Sequence, residues 1–368
     1  AFFMGSGAVS SVVAQDDVGA KPKGNYSIEE IVVTATKRSQ SLQDTAMSVS
    51  AVSGQNIEKR GLTSMADYLP SIPGVSFQDR GAGQNNLTIR GVGSDQERES
   101  KTVGVYFGEA PITELGSGSG VAGGSGDIKL VDIERVEVLR GPQGTLFGSS
   151  SMGGALRVIP NSPNLQEVEG KVNVRYSNTA GDGGGNSMLQ GVLNIPLIED
   201  QLAVRGVVYR YDNSGYVKNV AASKSDASAG VAAALSSDGV AVDRDDIGAD
   251  EYTGFRFTTL WKPNEALSVS LTHMQQDIEQ DGYPGVSQVE IDDFEQVRLK
   301  TGDNASADEF LENDVAITNL VVEYSMESGT ILSSSPELDY NGRSNIDVSG
   351  LFFLPMYAGS DVNTEVFT

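Results

Sequence analysis

The sequence predicts two parts, a small domain of mixed α/β (α+β) structure and an incomplete antiparallel transmembrane β-barrel. Three observations carry this. From about residue 168 the chain falls into segments of roughly ten residues in which apolar and polar side chains alternate. That is the length and period of a spanning strand with one face to lipid and one to the lumen. The gaps alternate short and long, with tight turns at 198–201, 262–265 and 327–329 and connections over about 212–251 and 275–314, as in barrels with turns at one end and loops at the other. Up to about residue 164, by contrast, short strand-like and helix-like pieces are separated by glycine-rich loops.

Residues 1–14 (AFFMGSGAVSSVVA) are small and apolar and precede Gln15-Asp16. They fit the end of a secretory signal and its cleavage site, and lack the initiating Met and basic stretch of a whole one. Residues 15–27 read as a polar linker. Ile31 to Thr36 (IVVTAT) is β-branched and suits a strand. Over 53–70, two short helical pieces are expected, broken at Gly61, the second capped by Ser64 and ended by Pro70 and Pro73. Strands are expected at 86–90, 103–107 and 133–139, with a loop over the Gly/Ser tract 116–126.

In the second part, Val168, Val172, Val174 and Tyr176 alternate with Glu169, Lys171, Asn173 and Arg175. Further segments lie at 188–197, 202–211, 252–262, 266–274, 315–326 and from 330 onward. Phe255, Phe257 and Trp261 share one face, as do Leu267, Val269 and Leu271. An open sheet of about seven strands leaves edges that lipid does not satisfy, so the barrel is expected to continue past Thr368.

The chain has 368 residues, no cysteine, one histidine (His273) and a net charge of −24. Disulfides, thiolate metal sites and cysteine nucleophiles are therefore excluded, and Ser-His-Asp chemistry and multi-histidine metal sites nearly so. The negative charge argues against nucleic acid, whose phosphates are met by Lys and Arg. No catalytic residue, resident metal or covalently bound cofactor is assigned. Gly118 to Gly123 fits G-x-G-x-x-G but lacks the flanking strand and helix of a dinucleotide site, and Gly141 to Ser149 lacks the lysine of a phosphate loop. Asp243 to Asp246 and Asp292-Asp293 lack EF-hand spacing. His273 is expected near the loop end of its strand as a surface or interface residue.

Several motifs are similar to those of the TonB-dependent receptors of Gram-negative outer membranes. Glu30 to Ala35 (EIVVTA) resembles the TonB box. Asn86 to Gly93 (NLTIRGVG) resembles the family's IRG strand, and Val103 to Ile112 (VGVYFGEAPI) its next segment, with Gly108-Glu109 where Asp-Gly is common. Asp132 to Gly148 (DIERVEVLRGPQGTLFG) with Met152 to Leu156 (MGGAL) resembles the end of the plug domain. The resemblance implies a signal remnant at 1–14, a periplasmic segment with the TonB box at 15–38, a plug at 39–164 and the first strands of a barrel of about 22 at 165–368.

It also implies site residues. Ile31, Val32, Val33, Thr34 and Ala35 would bind a TonB-like periplasmic energising protein, a β-branched segment adding as a strand to a partner's sheet edge. Without its place before a plug-like domain, this run would read as an ordinary strand. Arg90, Gly91, Glu134, Arg135, Glu137, Arg140, Gly141, Pro142, Gly144, Gly148, Gly153 and Gly154 form the plug motif. The glycines of the 141–144 turn are expected to allow positive φ. Arg90, Arg135 and Arg140 with Glu134 and Glu137 are expected to form ion pairs between plug and barrel wall, the alternative being solvated surface charges.

The function implied is TonB-dependent active import across the outer membrane by a monomer set in outer-membrane lipid. The small-molecule cargo would be an iron chelate such as a ferric siderophore, with haem, cobalamin or an oligosaccharide as alternatives. A passive barrel or adhesin, or a soluble exported enzyme, are the competing classes. The two long connections carry eight and twelve acidic residues against three and two basic ones, which favours a neutral or cationic cargo.

Overall fold

The computed structural model describes residues 32–34, 37, 40–79, 81, 83, 85–92, 102–113, 127–181, 183–220, 239–241, 243–284, 295–296, 299–301, 309–347 and 357–367. The remaining sequence readings, including residues 1–31, the tract 116–126 and Asp292-Asp293, lie outside them.

The first part contains β1 (Val32–Val33), β2 (Gln40–Ser41), β3 (Val49–Ser53), α1 (Gly54–Arg60), β4 (Val75–Asp79), β5 (Asn85–Ile89), β6 (Val103–Phe107), β7 (Ala110–Pro111), β8 (Ile133–Arg140), α2 (Gly144–Phe147) and β9 (Gly154–Pro160). Five of the strands form a sheet in the order β3-β8-β9-β6-β7, with β6 and β9 parallel; β4 and β5 pair separately. Ser53 caps α1 by accepting from the Asn56 amide, and Gly61 ends it with φ 67°, the left-handed conformation glycine adopts without penalty. Ser64 then starts a single 3₁₀ turn with a capping box to Asp67. Pro70 lies inside the following 3₁₀ turn, 69–71, rather than ending a helix as expected; near a turn's start its missing N–H has no partner to lose.

Among the described residues, the long strands of the second part form one antiparallel sheet of eight strands. It begins with β10 (Glu169–Asn178), β11 (Gly185–Ile198) and β12 (Leu202–Asn213). The next connection holds β13 (Val217–Val220), β14 (Gly239–Ala241) and β15 (Asp243–Ile247). Then come β16 (Ala249–Trp261) and β17 (Leu267–Asp281), a connection with β18 (Glu295–Gln296) and β19 (Leu299–Thr301), and β20 (Phe310–Met326), β21 (Gly329–Asp347) and β22 (Tyr357–Phe367). Successive long strands are neighbours throughout, the up-and-down order that tight turns produce.

The strands outrun the sequence reading at the long-loop end, where β17 continues to Asp281 and β20 starts at Phe310. Over 275–281 only Ile278 is apolar, so period-2 contrast vanishes although the ladder continues. His273 therefore sits mid-strand, not near a loop end. It faces outward, with Nδ1 2.9 Å from Thr318 Oγ1 and its ring 5.7 Å from Phe255. The eighth strand, β22, lies in the stretch where alternation is weakest.

The sheet is apolar outside and mostly polar inside. Val172, Val174, Tyr176, Leu189, Leu193, Phe255, Phe257, Trp261, Leu271 and Leu320 are exposed on the outer face. The inner face turns Asn194, Arg205, Arg256, Gln276 and Asn313, all buried, toward the small domain. Met274, Val315, Ile317, Leu338 and Tyr340 join the small domain's own core of Ile57, Met65, Leu69, Ile89, Val105, Ile112, Val136 and Leu156, and Val131 makes a further apolar contact with Met188, Val207, Tyr209 and Ile278 of the wall. Replacing Leu271 with Arg places a charge in the outer apolar band. It is expected to lower stability by about 2–4 kcal/mol, read from unfolding of the full-length natural protein in lipid vesicles.

Candidate functional site

The candidate site has three layers: the docked strand β1, the ionic core beneath it, and the joint between small domain and wall.

Val33 is 1% exposed and packs with Tyr106, Leu139, Phe147 and Ala155, while Val32 is 46% exposed. The two pair with Ser41 and Gln40. Thr34 is held at every polar atom. Its amide donates to Glu137 Oε1 at 2.7 Å, its carbonyl accepts from Arg157 Nη1 at 3.0 Å, and its hydroxyl accepts from Arg135 Nη2 and Arg157 Nη1 at 3.0 and 2.8 Å. Ile31 and Ala35 lie outside the described residues.

Under Thr34 lies a cluster of charges. Glu137 is 0% exposed and receives Arg135 Nε at 2.8 Å and Arg157 Nη1 at 3.0 Å. Arg157 also reaches Glu109 at 2.6 Å, and Arg135 and Lys37 pair with Glu134 and Glu109. Phe147 covers the cluster, with the Arg157 guanidinium and the Lys37 ammonium over its ring. Tyr106 donates its hydroxyl proton to the Phe147 carbonyl; burial pushes its pKa up, which keeps that proton in place.

The ion pairs expected between plug and wall at Arg90, Arg135, Arg140, Glu134 and Glu137 are not plug–wall pairs. Arg135, Glu134 and Glu137 pair within the small domain: β8 lies between β3 and β9, and its Arg135 and Glu137 meet Arg157 on β9 and Thr34 just after β1 rather than the wall. Arg140 donates to the Pro73 carbonyl at 2.9 Å. Arg90 is exposed, has φ 55°, and gives its amide to Gly74 O at 2.7 Å.

The joint is made instead by Asp132, at the head of the quoted motif. Arg205 on β12 grips its two carboxylate oxygens at 2.7 Å each, and Arg256 on β16 reaches its Oδ2 at 3.1 Å and its carbonyl at 2.9 Å. Such forked pairs between planar groups are among the stronger charge-assisted contacts. Nearby, Gln276 on β17 donates to Asp127 O at 2.6 Å and accepts from the Lys129 amide, and Tyr252 donates to Asp127 Oδ2 at 2.7 Å. Arg205 and Arg256 carry a readable signal: each is a charge in the inward phase of an alternating strand.

The motif glycines have separate uses. Gly91, Gly141 and Gly148 take positive φ, and a Cβ on Gly154 would lie 2.2 Å from the Leu139 carbonyl. Gly144 starts α2 and, contrary to expectation, has no positive φ. Pro142 is exposed in the turn between β8 and α2, and Gly153 gives its amide to Thr102 O.

Two cavities lie between the small domain and the wall. One of about 460 Å³ opens at the long-loop end, among Asp79, Asp127, Lys129, Tyr211, Asp250 and Tyr252. The other, about 310 Å³, lies between α1 and strands β10 and β11.

Residues 41–155 match the family model described as the TonB-dependent receptor plug domain. These residues are a TonB-dependent receptor plug. Among curated proteins, the chain is 32% identical over 145 residues to an iron-regulated outer membrane virulence protein of Vibrio cholerae, covering 38% of this chain and 21% of that one. It is 33% identical over 153 residues to the pesticin receptor of Yersinia pestis, covering 40% and 21%. Among solved structures, the ferric yersiniabactin uptake receptor of Yersinia pestis superposes with a TM-score of 0.65 at 18% identity, covering 87% of this chain and 44% of that one. The fold is thus a plug with the adjoining strands of a TonB-dependent receptor barrel. The matched stretch spans about a fifth of the length of these curated relatives.

Removing one partner from a buried ion pair costs about 3–5 kcal/mol, because the other charge is left unmatched. Glu137→Ala is therefore expected to destabilise the plug by that order in the full-length natural protein. Limited proteolysis should release residues around Thr34 first, whereas Glu134→Ala, which removes a half-exposed carboxylate, should change little.

Proposed function

We propose that this chain is the plug and first barrel strands of a receptor that imports a scarce nutrient across the bacterial outer membrane. A TonB-like periplasmic protein would draw on Ile31, Val32, Val33, Thr34 and Ala35. The observation that carries the reading is the plug seated against a sheet that is apolar outside and polar inside, with β1 lodged on the plug's ionic core. The polar clasp on Thr34 is reversible, as a pulled element requires, since every contact is a hydrogen bond, an ion pair or a small apolar patch.

An iron chelate is the cargo favoured by the relatives' names, an iron-regulated protein and a ferric yersiniabactin receptor. Haem, cobalamin and oligosaccharides are the alternatives. The 460 Å³ cavity is the proposed outer binding space, large enough for part of such a molecule. No step of covalent chemistry is assigned. A passive barrel or adhesin is the second reading, in which β1 would be a fixed plug strand.

The two readings separate on Val33→Pro, which removes a backbone donor from the strand. Energy-dependent uptake of radioiron as ferric yersiniabactin, ferric citrate or a ferric catecholate, or of labelled cobalamin, should be lost while the receptor stays at the cell surface. In the cysteine-free chain, Val32→Cys should crosslink to the energising protein. Uptake that survives Val33→Pro would favour the passive barrel.

A further inference from the structure

Buried cations in this fold grip carboxylates, with one exception. Arg135 and Arg157 hold Glu137, and Arg205 and Arg256 hold Asp132. Lys129, 7% exposed, holds none. Its amide donates to Gln276 Oε1 at 3.0 Å, and its ammonium lies 3.4 Å from the centre of the Tyr252 ring and 5.2 Å from that of Tyr211. Both rings are fixed at their hydroxyls, Tyr252 donating to Asp127 Oδ2 at 2.7 Å and Tyr211 accepting from Gln190 Nε2 at 2.6 Å. They stand on β12 and β16, strands paired on both sides.

Two rings attract a cation, but a lysine brings three N–H donors that call for oxygen acceptors. Among the described residues the Lys129 ammonium has neither a hydrogen-bond acceptor nor an ion pair. A buried charge ordinarily finds such a partner. Here the head group is held on a rigid aromatic platform and lines the 460 Å³ outer cavity.

The same cavity holds acceptors in reserve. Asp79 Oδ1 takes the Gly81 amide at 3.0 Å, Asp250 Oδ1 takes Asn213 Nδ2 at 2.7 Å, and Asp127 Oδ2 takes the Tyr252 hydroxyl. Among the described residues the second oxygen of each accepts nothing. These three carboxylates outnumber the two cations of the lining, Lys129 and Arg175. Lys129 acts electrostatically on both Asp79 and Asp250, so one solute can engage the free donors and the free acceptors together.

We propose that this cavity selects an iron chelate that carries a protonated amine, with Lys129 donating to an oxygen of the chelate and Asp79 and Asp250 receiving the amine. The proposal rests on the receptor reading and adds the chemical class of the cargo and the residues that choose it. A ferric trihydroxamate with a free terminal amine has both parts, an uncharged centre whose oxygens still accept and a separate positive charge. A ferric tricatecholate is strongly anionic, and the carboxylates repel it.

The test is equilibrium dialysis of radioiron chelates against the full-length natural protein in detergent micelles. The probes are a linear ferric trihydroxamate with a free terminal amine, the same chelate N-acetylated, and a ferric tricatecholate. The amine-bearing chelate is expected to bind about tenfold more tightly than its N-acetylated form, the scale of one charge-assisted hydrogen bond, and the tricatecholate more weakly than either. The double variant Asp79→Asn, Asp250→Asn is expected to lose the preference for the amine. Lys129→Met is expected to weaken binding of the N-acetylated chelate about tenfold, and Lys129→Arg, which keeps the donors, to recover most of that loss. Equal affinity for amine and N-acetylated chelates in the parent overturns the cargo class, and a preference that persists in the double variant overturns the role of the carboxylates. Unchanged affinity in Lys129→Met, or no recovery in Lys129→Arg, overturns the role of Lys129. Protein that binds none of the three chelates defeats the iron-import reading and this proposal together, whereas a preference for the tricatecholate defeats the cargo class alone.

Discussion

The constraint on which the structure depends is that the large sheet has two different surroundings. Its outer face meets hydrocarbon, so apolar side chains stand there without partners. Its inner face carries Arg205, Arg256, Gln276 and Asn313 away from lipid, and buried groups of that kind need hydrogen bonds or counter-charges. The plug supplies them. Asp132 pairs with two arginines from different strands, and the peptide groups around 127–132 satisfy Gln276 and Arg256. An empty lumen would have to fill these roles with water.

The plug's own charges solve a second problem. Glu137, Arg135 and Arg157 lie on strands of the central sheet yet are buried, and each has a partner of opposite sign within 3.0 Å. What closes the cluster is a peptide, Thr34, offering donor and acceptor at the right spacing. A chain segment thereby completes an ionic core without becoming covalently or topologically part of it.

The architecture was legible because it follows from period and spacing. Ten-residue alternating segments gave the membrane strands, and the quoted motifs marked the plug. Strand ends beyond about residue 275 were not legible, since above the lipid band both faces of β17 are polar and the period carries no contrast. The site was half legible. Glu137 and Arg135 were singled out for their charge, but their partners depend on which strands neighbour β8, and nothing local in a sequence states that. Asp132 stood in the motif unremarked. The matching arginines lie 73 and 124 residues further on, and inward phase was the only sign they gave.

The ladder between β1 and β2 has a mechanical consequence. It consists of two residue pairs, Val32 with Ser41 and Val33 with Gln40, at the end of the chain's described portion. A tension applied at its N-terminal end loads these pairs in sequence, so the ladder peels and never has to break all at once. The sheet of β8, β9 and β6 behind it has longer ladders of seven and five pairs, and a pull along those strands loads the pairs together in shear. The protein is therefore compliant along one direction and stiff along another.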